Sequence, residues 1–463
     1  MSVRYTLVAI GIAALTGGSV NPASAQAHTA YVVEDLGSFG GRYLVGLAVN
    51  DMGDIAGYGE LRDGSFHAFR WTVTGGLEDL GANGGFSSQA AGINHDGDVV
   101  GVYIDQYFQP HGFIAPRAGA MRDASTAAHL IWRVNGITDD GRIAGMLFAP
   151  NTMAQVHAFR TLADGTLEDL GSEFSSESFA LNAGGDVTGF EAHDPNGANT
   201  ARAFRFSDAA GKSDLATLGG TRSTGLSINS SGVIVGWSEV ADANIYSRAF
   251  RGRPGFPMED LGTLGGRFAG AESVNDAGVV AGWSESSSGI APFLFTDADG
   301  MLDIRRRIPA VMGLGRGLDS AHAIGNGGHV IVGFYTADGY GTLRLSPVPD
   351  YEPPAVTATP DHDVLTPPDG KMIPVYVTVE ASDNFDAEPT CGIVSVRNTE
   401  ASASGVDPDV QMINPFTVNL RATRLGNGNG RTYTLAVRCT DFAGNATTVE
   451  TLVRVPHDSA GKE

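Results

Sequence analysis

The stretch DLGTLGG, residues 260–266, is the most complete copy of a motif that recurs along this chain of 463 residues. Its opening Asp-Leu-Gly-like step occurs seven times, at intervals of 43 to 46 residues. The seven steps begin at Asp35, Asp79, Asp123, Asp169, Asp214, Asp260 and Asp303. A fixed period of about 40 to 50 residues is typical of propellers and solenoids, in which each repeat is one structural unit. The repeat therefore limits the fold to one of these architectures.

Two further motifs keep the same period. One is Asn-x-x-Gly followed by an apolar pair and another Gly, and it begins at Asn50, Asn94, Asn182, Asn229 and Asn275, with degenerate copies at Thr138 and Gly325. The other is an Ala-Phe pair after His or Arg, with first residues His67, His157, Arg202 and Arg248 and looser copies at His111 and Ala291. Each period has four short runs with strand character, and helical periodicity is absent. The sequence predicts an all-β fold that begins with a seven-bladed β-propeller of four-stranded blades.

The Asn-x-x-Gly motif suits a tight turn, because the Asn side chain can bond the backbone two residues on. The two ends of the repeat region complement each other. The first copy is preceded by a lone strand-like segment, residues 31–36, whereas the last copy stops after residues 341–347. We expect the first segment to pair beside the second as the outermost strand of blade seven, which closes the ring and removes both free edges.

These repeats resemble the HAF family of bacterial extracellular repeats, which is named for the His-Ala-Phe step and is also marked by DLGTLGG. The resemblance covers residues 31–347. It implies an exported repeat protein. The family has no defined catalytic residues, so the resemblance assigns none to this chain.

The beginning of the chain predicts export. Residues 1–25 have the pattern of a signal peptide, with Arg4, an apolar run over residues 7–15 and a small-residue cleavage site at residues 23–25. No later apolar run is long enough to span a membrane. The net charge of −22 argues against nucleic acids and anionic membranes as partners. We expect a monomer that is secreted, periplasmic or loosely attached to the cell surface.

A second domain follows the repeats. Residues 28–348 are assigned to the propeller, the Pro-rich acidic stretch 349–354 to a semi-rigid linker, and residues 457–463 to a C-terminal tail. Alternating apolar and polar residues over 355–456 predict a β-sandwich. The segments 367–372, 382–386 and 455–458 look like an immunoglobulin-like module similar to the hyalin-repeat group. That resemblance implies an accessory or adhesive module without a defined ligand.

Candidate chemistry is sparse. Asp383, Asn384 and Asp386 place oxygen ligands at short spacing and are the candidates for a calcium site. The histidines of the Ala-Phe motif, His67, His111 and His157, occupy equivalent places in different blades, which favours hydrogen bonds between blades over a metal site. The chain has no Gly-x-Ser-x-Gly elbow, so no catalytic residue is assigned, and no cofactor other than calcium is expected.

Ligand-binding candidates lie between the second and third strands of the repeats, where the sequence varies while the strands recur. Variable loops on a rigid scaffold commonly carry binding residues, and these loops open on one face of the disc. The aromatic and acidic candidates are Asp105, Tyr107, Phe108, Trp237, Glu239, Trp283 and Glu285. An alternative role for the two tryptophans is packing between blades.

The sequence favours a non-enzymatic binding or adhesion protein whose ligand is an extracellular glycan or protein. The alternative is a secreted polysaccharide hydrolase or lyase with its site at the propeller mouth. Converging carboxylates, or a His-Tyr-Arg group, in one pocket would favour the enzyme.

The tail contains the only two cysteines, Cys391 and Cys439, and export gives them an oxidising compartment in which to pair. We predict a disulfide that stabilises the tail by about 4 kcal/mol through loop closure. Reduction should lower the stability of residues 352–463 and leave the unfolding of the cysteine-free residues 28–348 unchanged. Unfolding the two parts separately, with and without reductant, measures both effects. Two free thiols in the native exported protein would contradict the bond.

Overall fold

The computed structural model describes residues 29–149, 155–171, 173–194, 200–241, 247–308, 317–386, 388–400, 409–426 and 430–456. The predicted signal peptide and the tail 457–463 lie outside these ranges. Within them the protein is all-β apart from one 3₁₀ turn, Ile304–Arg307. The described part contains no helix of the length and hydropathy needed to cross a membrane.

Between residues 29 and 349, the described strands form a first strand and seven consecutive antiparallel groups, which we call sheets 1 to 7; sheets 7 and 1 are joined into one eight-stranded sheet. The first strand is β1 (Thr29–Asp35). Sheet 1 contains β2 (Gly40–Val49), β3 (Ile55–Leu61), β4 (Phe66–Thr72) and β5 (Gly76–Asp79). Sheet 2 contains β6 (Ser87–Ile93), β7 (Val99–Ile104), β8 (Pro110–Ala115) and β9 (Arg122–Asp123). Sheet 3 contains β10 (Ile131–Ile137), β11 (Ile143–Phe148), β12 (Val156–Thr161) and β13 (Leu167–Asp169).

The next four sheets repeat this order. Sheet 4 contains β14 (Ser176–Leu181), β15 (Val187–Ala192), β16 (Ala201–Ser207) and β17 (Gly211–Asp214). Sheet 5 contains β18 (Gly219–Ile228), β19 (Ile234–Val240), β20 (Arg248–Gly252) and β21 (Glu259–Asp260). Sheet 6 contains β22 (Gly265–Val274), β23 (Val280–Ser286), β24 (Gly289–Thr296) and β25 (Gly300–Asp303). Sheet 7 contains β26 (Leu318–Ile324), β27 (Val330–Tyr335), β28 (Tyr340–Pro349) and β1.

The strand β1 completes the last sheet. It pairs antiparallel with β28, with Tyr31 opposite Pro347 and Asp35 opposite Leu343. This confirms the pairing expected from the two ends of the repeat region. A parallel bridge between Tyr43 and Tyr340 also joins sheet 7 to sheet 1.

The sheets have a circular order of contacts. The first strand of each sheet contacts the first strand of the next, and the first strand of sheet 7 contacts that of sheet 1. Small residues allow this close approach. A Cβ atom at Gly92, in the first strand of sheet 2, would lie 3.0 Å from the carbonyl oxygen of Asn135, in the first strand of sheet 3. At this point the two first strands approach to within backbone contact.

The motif asparagines link these sheets in series. Asn229 Oδ1 accepts hydrogen bonds from the backbone N–H groups of Ser231 (3.1 Å) and Val233 (2.9 Å), which confirms the predicted turn. Its Nδ2 donates to the carbonyl of Asn275 in the next sheet at 3.0 Å. The corresponding donors elsewhere are Asn50, Asn94, Asn182 and Asn275. One buried side chain thus both closes a turn and joins two sheets.

The second domain, which we call the tail, begins at Ala355 and consists of two facing sheets. Its strands are β29 (Ala355–Pro360), β30 (Met372–Ser382), β31 (Thr390–Asn398), β32 (Val410–Asn414), β33 (Thr417–Arg421), β34 (Arg431–Thr440) and β35 (Ala446–Val455). One sheet has the order β29-β30-β33-β32 and the other β31-β34-β35, and residues of both sheets share one buried core. Cys391 lies directly opposite Cys439 and is bonded to it, with the Cα atoms 4.1 Å apart. The predicted disulfide is confirmed.

The Asn link can be tested at Asn229, which is 5% exposed. Asn229→Ala removes the three hydrogen bonds that Oδ1 accepts, from the backbone N–H groups of Ser231 and Val233 and from Ser231 Oγ, and the one that Nδ2 donates. We therefore predict a loss of about 3 kcal/mol of unfolding free energy. Chemical denaturation of the full chain measures this. Ser230→Ala is the matched control, because Ser230 is exposed and uses its backbone N–H to contact the next sheet. Equal stability of the two variants would contradict the structural role.

Candidate functional site

A β-bulge interrupts the first strand of every sheet at the same place. The strand pairing skips one residue, three positions before the motif Asn position. The skipped residues are Leu47, Ala91, Asn135, Phe179, Leu226, Glu272 and His322. All seven line one cavity of about 370 Å³ between the first strands. Because a bulge re-aims a side chain, the repeat carries seven variable side chains into a shared cavity.

A cluster of polar side chains lies at sheets 6 and 7, where Glu272 and His322 line this cavity. Glu272 Oε2 is 2.8 Å from His322 Nδ1, and Glu272 Oε1 accepts a hydrogen bond from Ser320 Oγ at 3.0 Å. His322 Nε2 is 2.9 Å from the Tyr340 hydroxyl, which donates to Asp319 Oδ1 at 2.8 Å. Two carboxylates, an imidazole and a phenol therefore form one continuous hydrogen-bonded chain.

The protonation states of these hydrogen-bonded side chains follow from their surroundings. Burial lowers the pKa of His322, but the hydrogen bond and charge of Glu272, together with the charge of Asp319, outweigh burial and raise that pKa above its ordinary value. Burial and the charge of Asp319 also raise the pKa of Tyr340, which stays a neutral phenol. A protonated His322 donates from both ring nitrogens, to Glu272 and to Tyr340. Glu272, His322, Tyr340 and Asp319 are then each hydrogen-bonded to another member of this cluster.

A second polar group joins sheets 3 and 4, and its Asn135 lines the cavity. Asn135 Nδ2 donates to Glu177 Oε1 at 2.8 Å and to the carbonyl of Ser178 at 2.9 Å. Burial raises the pKa of Glu177, and the hydrogen bond of Asn135 and the charge of Arg133 oppose that rise. Polar side chains of sheets 3, 6 and 7, namely Asn135, Glu272 and His322, therefore line the same cavity.

Three of the predicted ligand-binding residues lie at an exposed hairpin of sheet 2, between β7 and β8. Asp105 Oδ1 accepts from the backbone N–H groups of Tyr107 (2.8 Å) and Gln109 (2.9 Å), so Asp105 shapes the turn. The side chains of Tyr107 and Phe108 are 72% and 73% exposed. Phe108 has a φ of +63°, a conformation that a residue with a side chain rarely adopts.

Phe86 completes this exposed group. Its ring stacks on that of Phe108 with the centroids 4.6 Å apart, and it is 51% exposed. No repeat motif marks Phe86, but the antiparallel pairing of Ser87 with Ile104 places it beside the hairpin. We call Phe86, Tyr107 and Phe108 the aromatic tip of sheet 2.

The other four candidates lie in second strands rather than in loops. Glu239 in β19 accepts hydrogen bonds from Thr221 Oγ1 (2.7 Å) and Arg222 Nε (2.8 Å) of the neighbouring strand. Glu285 in β23 accepts from the backbone N–H of Arg267 at 2.7 Å. Both carboxylates hold the start of the first strand in their own sheet.

The two tryptophans are half-buried and sit across from residues of their own sheets. Trp237 pairs with Thr224 and Trp283 with Gly270. A Cβ atom at Gly270 would lie 3.0 Å from Trp283 Nε1, so the Trp283 ring covers this glycine. The second strands extend further than the loop assignment assumed, and these residues belong to them.

The histidines of the Ala-Phe motif bond within a sheet and not between sheets as expected. His67 Nδ1 is 2.9 Å from Asp79, and the pairs His111–Asp123 (3.1 Å) and His157–Asp169 (2.9 Å) repeat this contact. The reason is register: the Ala-Phe strand and the Asp-Leu-Gly strand are neighbours, with Phe69 opposite Asp79.

In three repeats, the Arg that follows the Ala-Phe pair contacts the neighbouring sheet instead. Arg70 Nη2 donates to the carbonyl of Ala115 at 3.0 Å, Arg160 Nη1 to that of Gly185 at 2.6 Å, and Arg251 Nη2 to Asp297 at 2.6 Å. The same guanidinium groups pair with Glu78, Glu168 and Glu259 in their own sheets.

The predicted calcium residues have different surroundings: Asp383 and the side chain of Asn384 lie next to Asp350, whereas Asp386 holds a loop. Asp383 meets Asp350 and Asp441, with one carboxylate oxygen of each within 4.8 Å of the others. Burial and the charges of Asp383 and Asp441 raise the pKa of Asp350. Asp386 instead accepts from the backbone N–H groups of Glu388 and Phe442, and Asn384 is exposed.

Comparison with known proteins gives only distant structural similarity. No family model and no curated protein matches the chain. An acylaminoacyl peptidase from Pyrococcus horikoshii is similar with a TM-score of 0.44 and 11% identity, over 74% of this chain and 59% of the peptidase. AofleA from Arthrobotrys oligospora has a TM-score of 0.34 and 10% identity, over 58% of this chain and 87% of that one. A lectin from Burkholderia pseudomallei has a TM-score of 0.33 and 8% identity, over 88% and 95%. None of these similarities identifies a function.

The raised pKa of His322 gives a pH test. A histidine whose pKa is higher in the folded state stabilises the fold fully below its unfolded pKa of about 6.5, and this stabilisation is lost as pH rises through the folded value. We predict that His322→Gln lowers the melting temperature most near pH 6, and that the difference from wild type shrinks towards about pH 9. Thermal unfolding of both proteins across this range measures it. His362→Gln, at an exposed site in the tail, is the control. A difference that does not change with pH would contradict the charged state of His322.

Proposed function

We propose that this chain is an exported, monomeric, HAF-type repeat protein that binds an extracellular glycan on a seven-bladed β-propeller followed by an immunoglobulin-like sandwich. The circular contacts of seven four-stranded sheets, and the place of β1 in the last one, support the propeller. The two sheets and shared core of the tail support the sandwich. The disulfide fits a protein outside the reducing cytosol.

The observation that carries the binding function is the aromatic tip of sheet 2. Two stacked rings and a neighbouring Tyr are exposed at one hairpin. Because their apolar surface stays in water, it contributes little hydrophobic free energy to folding. Phe108 also keeps a left-handed backbone that costs about 1 to 3 kcal/mol, and such strain clusters at ligand-binding sites. A strained hairpin that holds rings in solvent is explained by a ligand that covers them.

A glycan suits this surface better than a peptide does. The exposed rings offer a face on which the apolar face of a sugar ring can stack, while the Tyr107 hydroxyl can bond its hydroxyl groups. The carboxylate of Asp105 already accepts hydrogen bonds from its own turn, and its other oxygen lies 3.2 Å from His111 Nε2. Asp105 therefore positions the hairpin and leaves the contact to the aromatic residues.

The second candidate function is a polysaccharide hydrolase or lyase that acts in the central cavity. It is favoured by the carboxylates of Glu272 and Asp319, which converge on His322 and Tyr340. Catalysis needs an acid or base that can reach the substrate. In this cluster Ser320, His322 and Tyr340 already occupy the carboxylates. Binding at the aromatic tip is therefore the first proposal.

A glycan and peptide array, run beside an activity screen on polysaccharides, tests the proposal. We predict that Phe108→Ala and Phe86→Ala each weaken glycan binding by about tenfold, because an aromatic contact is worth roughly 1 kcal/mol or more. Phe256→Ala is the control, since Phe256 is 71% exposed but lies in sheet 5, between β20 and β21.

Two outcomes would overturn this assignment. Retention of peptides alone on the array would identify a protein ligand. Polysaccharide turnover that is lost in Glu272→Gln and kept in Phe108→Ala would favour the enzyme and move the site to the central cavity.

A further inference from the structure

Three carboxylates converge where the connection between the repeats and the tail meets the tail. Asp350 follows β28, Asp383 follows β30 and Asp441 follows β34. One carboxylate oxygen of each lies within 4.8 Å of the others. Asp350 is 1% exposed and Asp441 is 5% exposed. The three groups therefore bring negative charge together in a place that water reaches poorly.

Cationic side chains do not compensate this charge. Within the described ranges, no Lys, Arg or His forms an ion pair with any of the three carboxylates. Like charges at this separation repel strongly when they are buried. Burial of several carboxylates is tolerated when they are paired or when they coordinate a metal ion. These three carboxylates are not paired with cationic side chains of the described residues, so coordination of a metal ion is the remaining way to compensate their charge.

The hydrogen bonds of the cluster leave specific atoms unused. Asp350 Oδ1 accepts from the backbone N–H of Glu352 at 3.2 Å, and Asp383 Oδ1 accepts from those of Phe385 (2.9 Å) and Asp386 (2.8 Å). The Oδ2 atoms of Asp350 and Asp383 are buried and have no partner among the described residues. A buried acceptor without a partner is costly, and a charged one is more so.

We propose that Asp350, Asp383 and Asp441 bind one Ca²⁺ ion. Ca²⁺ takes six to eight oxygen ligands at about 2.3 to 2.6 Å, so two oxygens on one ion lie at most about 5 Å apart. The separations in this cluster satisfy that limit. The donors are all carboxylate oxygens, which suit Ca²⁺ and not the metal ions that prefer His or Cys. Backbone carbonyls and water complete such a shell.

The site would fix the junction between the repeats and the tail. Asn445 Nδ2 donates to the carbonyl of Asp350 at 3.2 Å and to Asp441 Oδ2 at 2.9 Å, so the loop after β34 already holds the connection. Phe442 in this loop lies under the guanidinium of Arg307, 5.2 Å from its ring centroid. Arg307 belongs to the turn that follows sheet 6. An ion at Asp441 therefore stabilises the contact of the tail with the repeats.

Asp386, which the sequence marks as a ligand, has a positioning role in this arrangement. Its Oδ2 accepts from the backbone N–H of Phe442 at 2.9 Å and its Oδ1 from that of Glu388. These bonds hold the loop that carries Asp441 against the loop that carries Asp383. The Asp386 carboxylate therefore positions the two loops and is not a ligand in this proposal.

The test uses the full mature chain, freed of metal with a chelator and titrated with CaCl₂ by calorimetry. We expect one bound Ca²⁺ with a dissociation constant of about 10⁻⁴ to 10⁻³ M or tighter, the range of extracellular modules. Saturating Ca²⁺ should raise the melting temperature of the tail by about 5 °C. All four tryptophans, Trp71, Trp132, Trp237 and Trp283, lie in sheets 1, 3, 5 and 6. Their fluorescence therefore reports the unfolding of the repeats, and calorimetry adds that of the tail.

Variants separate metal binding from folding. Asp350→Asn and Asp441→Asn should each weaken Ca²⁺ binding at least tenfold, and Asp350→Asn should make the metal-free tail more stable because it removes one of the repelling charges. Asp363→Asn, an exposed charge change in the tail, should bind Ca²⁺ as wild type does. No heat and no change in melting with CaCl₂, binding unchanged in both cluster variants, or binding of Mg²⁺ in preference to Ca²⁺ would each overturn the proposal.

Discussion

The buried amide of the motif asparagine is the interaction on which the rest of the repeat region depends. Its oxygen closes the turn between the first and second strands, and its nitrogen reaches the backbone of the next sheet. Each sheet that has this asparagine is thereby fixed to its neighbour at the end of its first strand. Two repeats lack this residue. In the third, the Arg142 guanidinium donates to the carbonyl of Ala183 in the next sheet. In the seventh, the Asn326 backbone N–H donates to Asp51 at 3.0 Å, a bond that Ser230 also makes with Asp276 beside Asn229.

With the backbones held in this way, the bulge residues are free to differ. The same bulge presents Leu47 and Ala91 in two sheets and Glu272 and His322 in two others. The repeated residues build the frame, and the unpaired ones give the cavity its chemistry. The exposed aromatic tip follows the same division, because Asp105 shapes the hairpin while the rings of Phe86 and Phe108 remain accessible.

Much of the strand order could be predicted from the sequence, because the Asn, Ala-Phe and Asp-Leu-Gly steps recur at fixed spacing. The pairing of β1 with β28 could be predicted from the complementary ends of the repeat region, and the bond between Cys391 and Cys439 from the absence of any other cysteine. The hydrogen-bond partner of His67 could not be predicted, because the spacing of a repeat does not show which strands are neighbours in a sheet. The cluster of Glu272 with His322 escaped prediction because these residues stand in different repeats, where neither forms a local motif. Asp350 joins Asp383 only through the folding of the tail.

The pairing of β1 with β28 also constrains the order in which the molecule can be assembled. Glu34 and Arg344 meet across this pair although 310 residues separate them. Because the segment that is synthesised first completes the sheet that is synthesised last, the repeat region cannot finish folding from one end to the other. Sheets 1 to 6 consist of local hairpins and can form as they emerge, whereas the last sheet requires a long loop to close. Until the last sheet closes, β1 is unpaired and the edge of β28 that will receive it has free backbone hydrogen-bonding groups. Unpaired strand edges can pair with other chains, so this intermediate is the one most prone to aggregation.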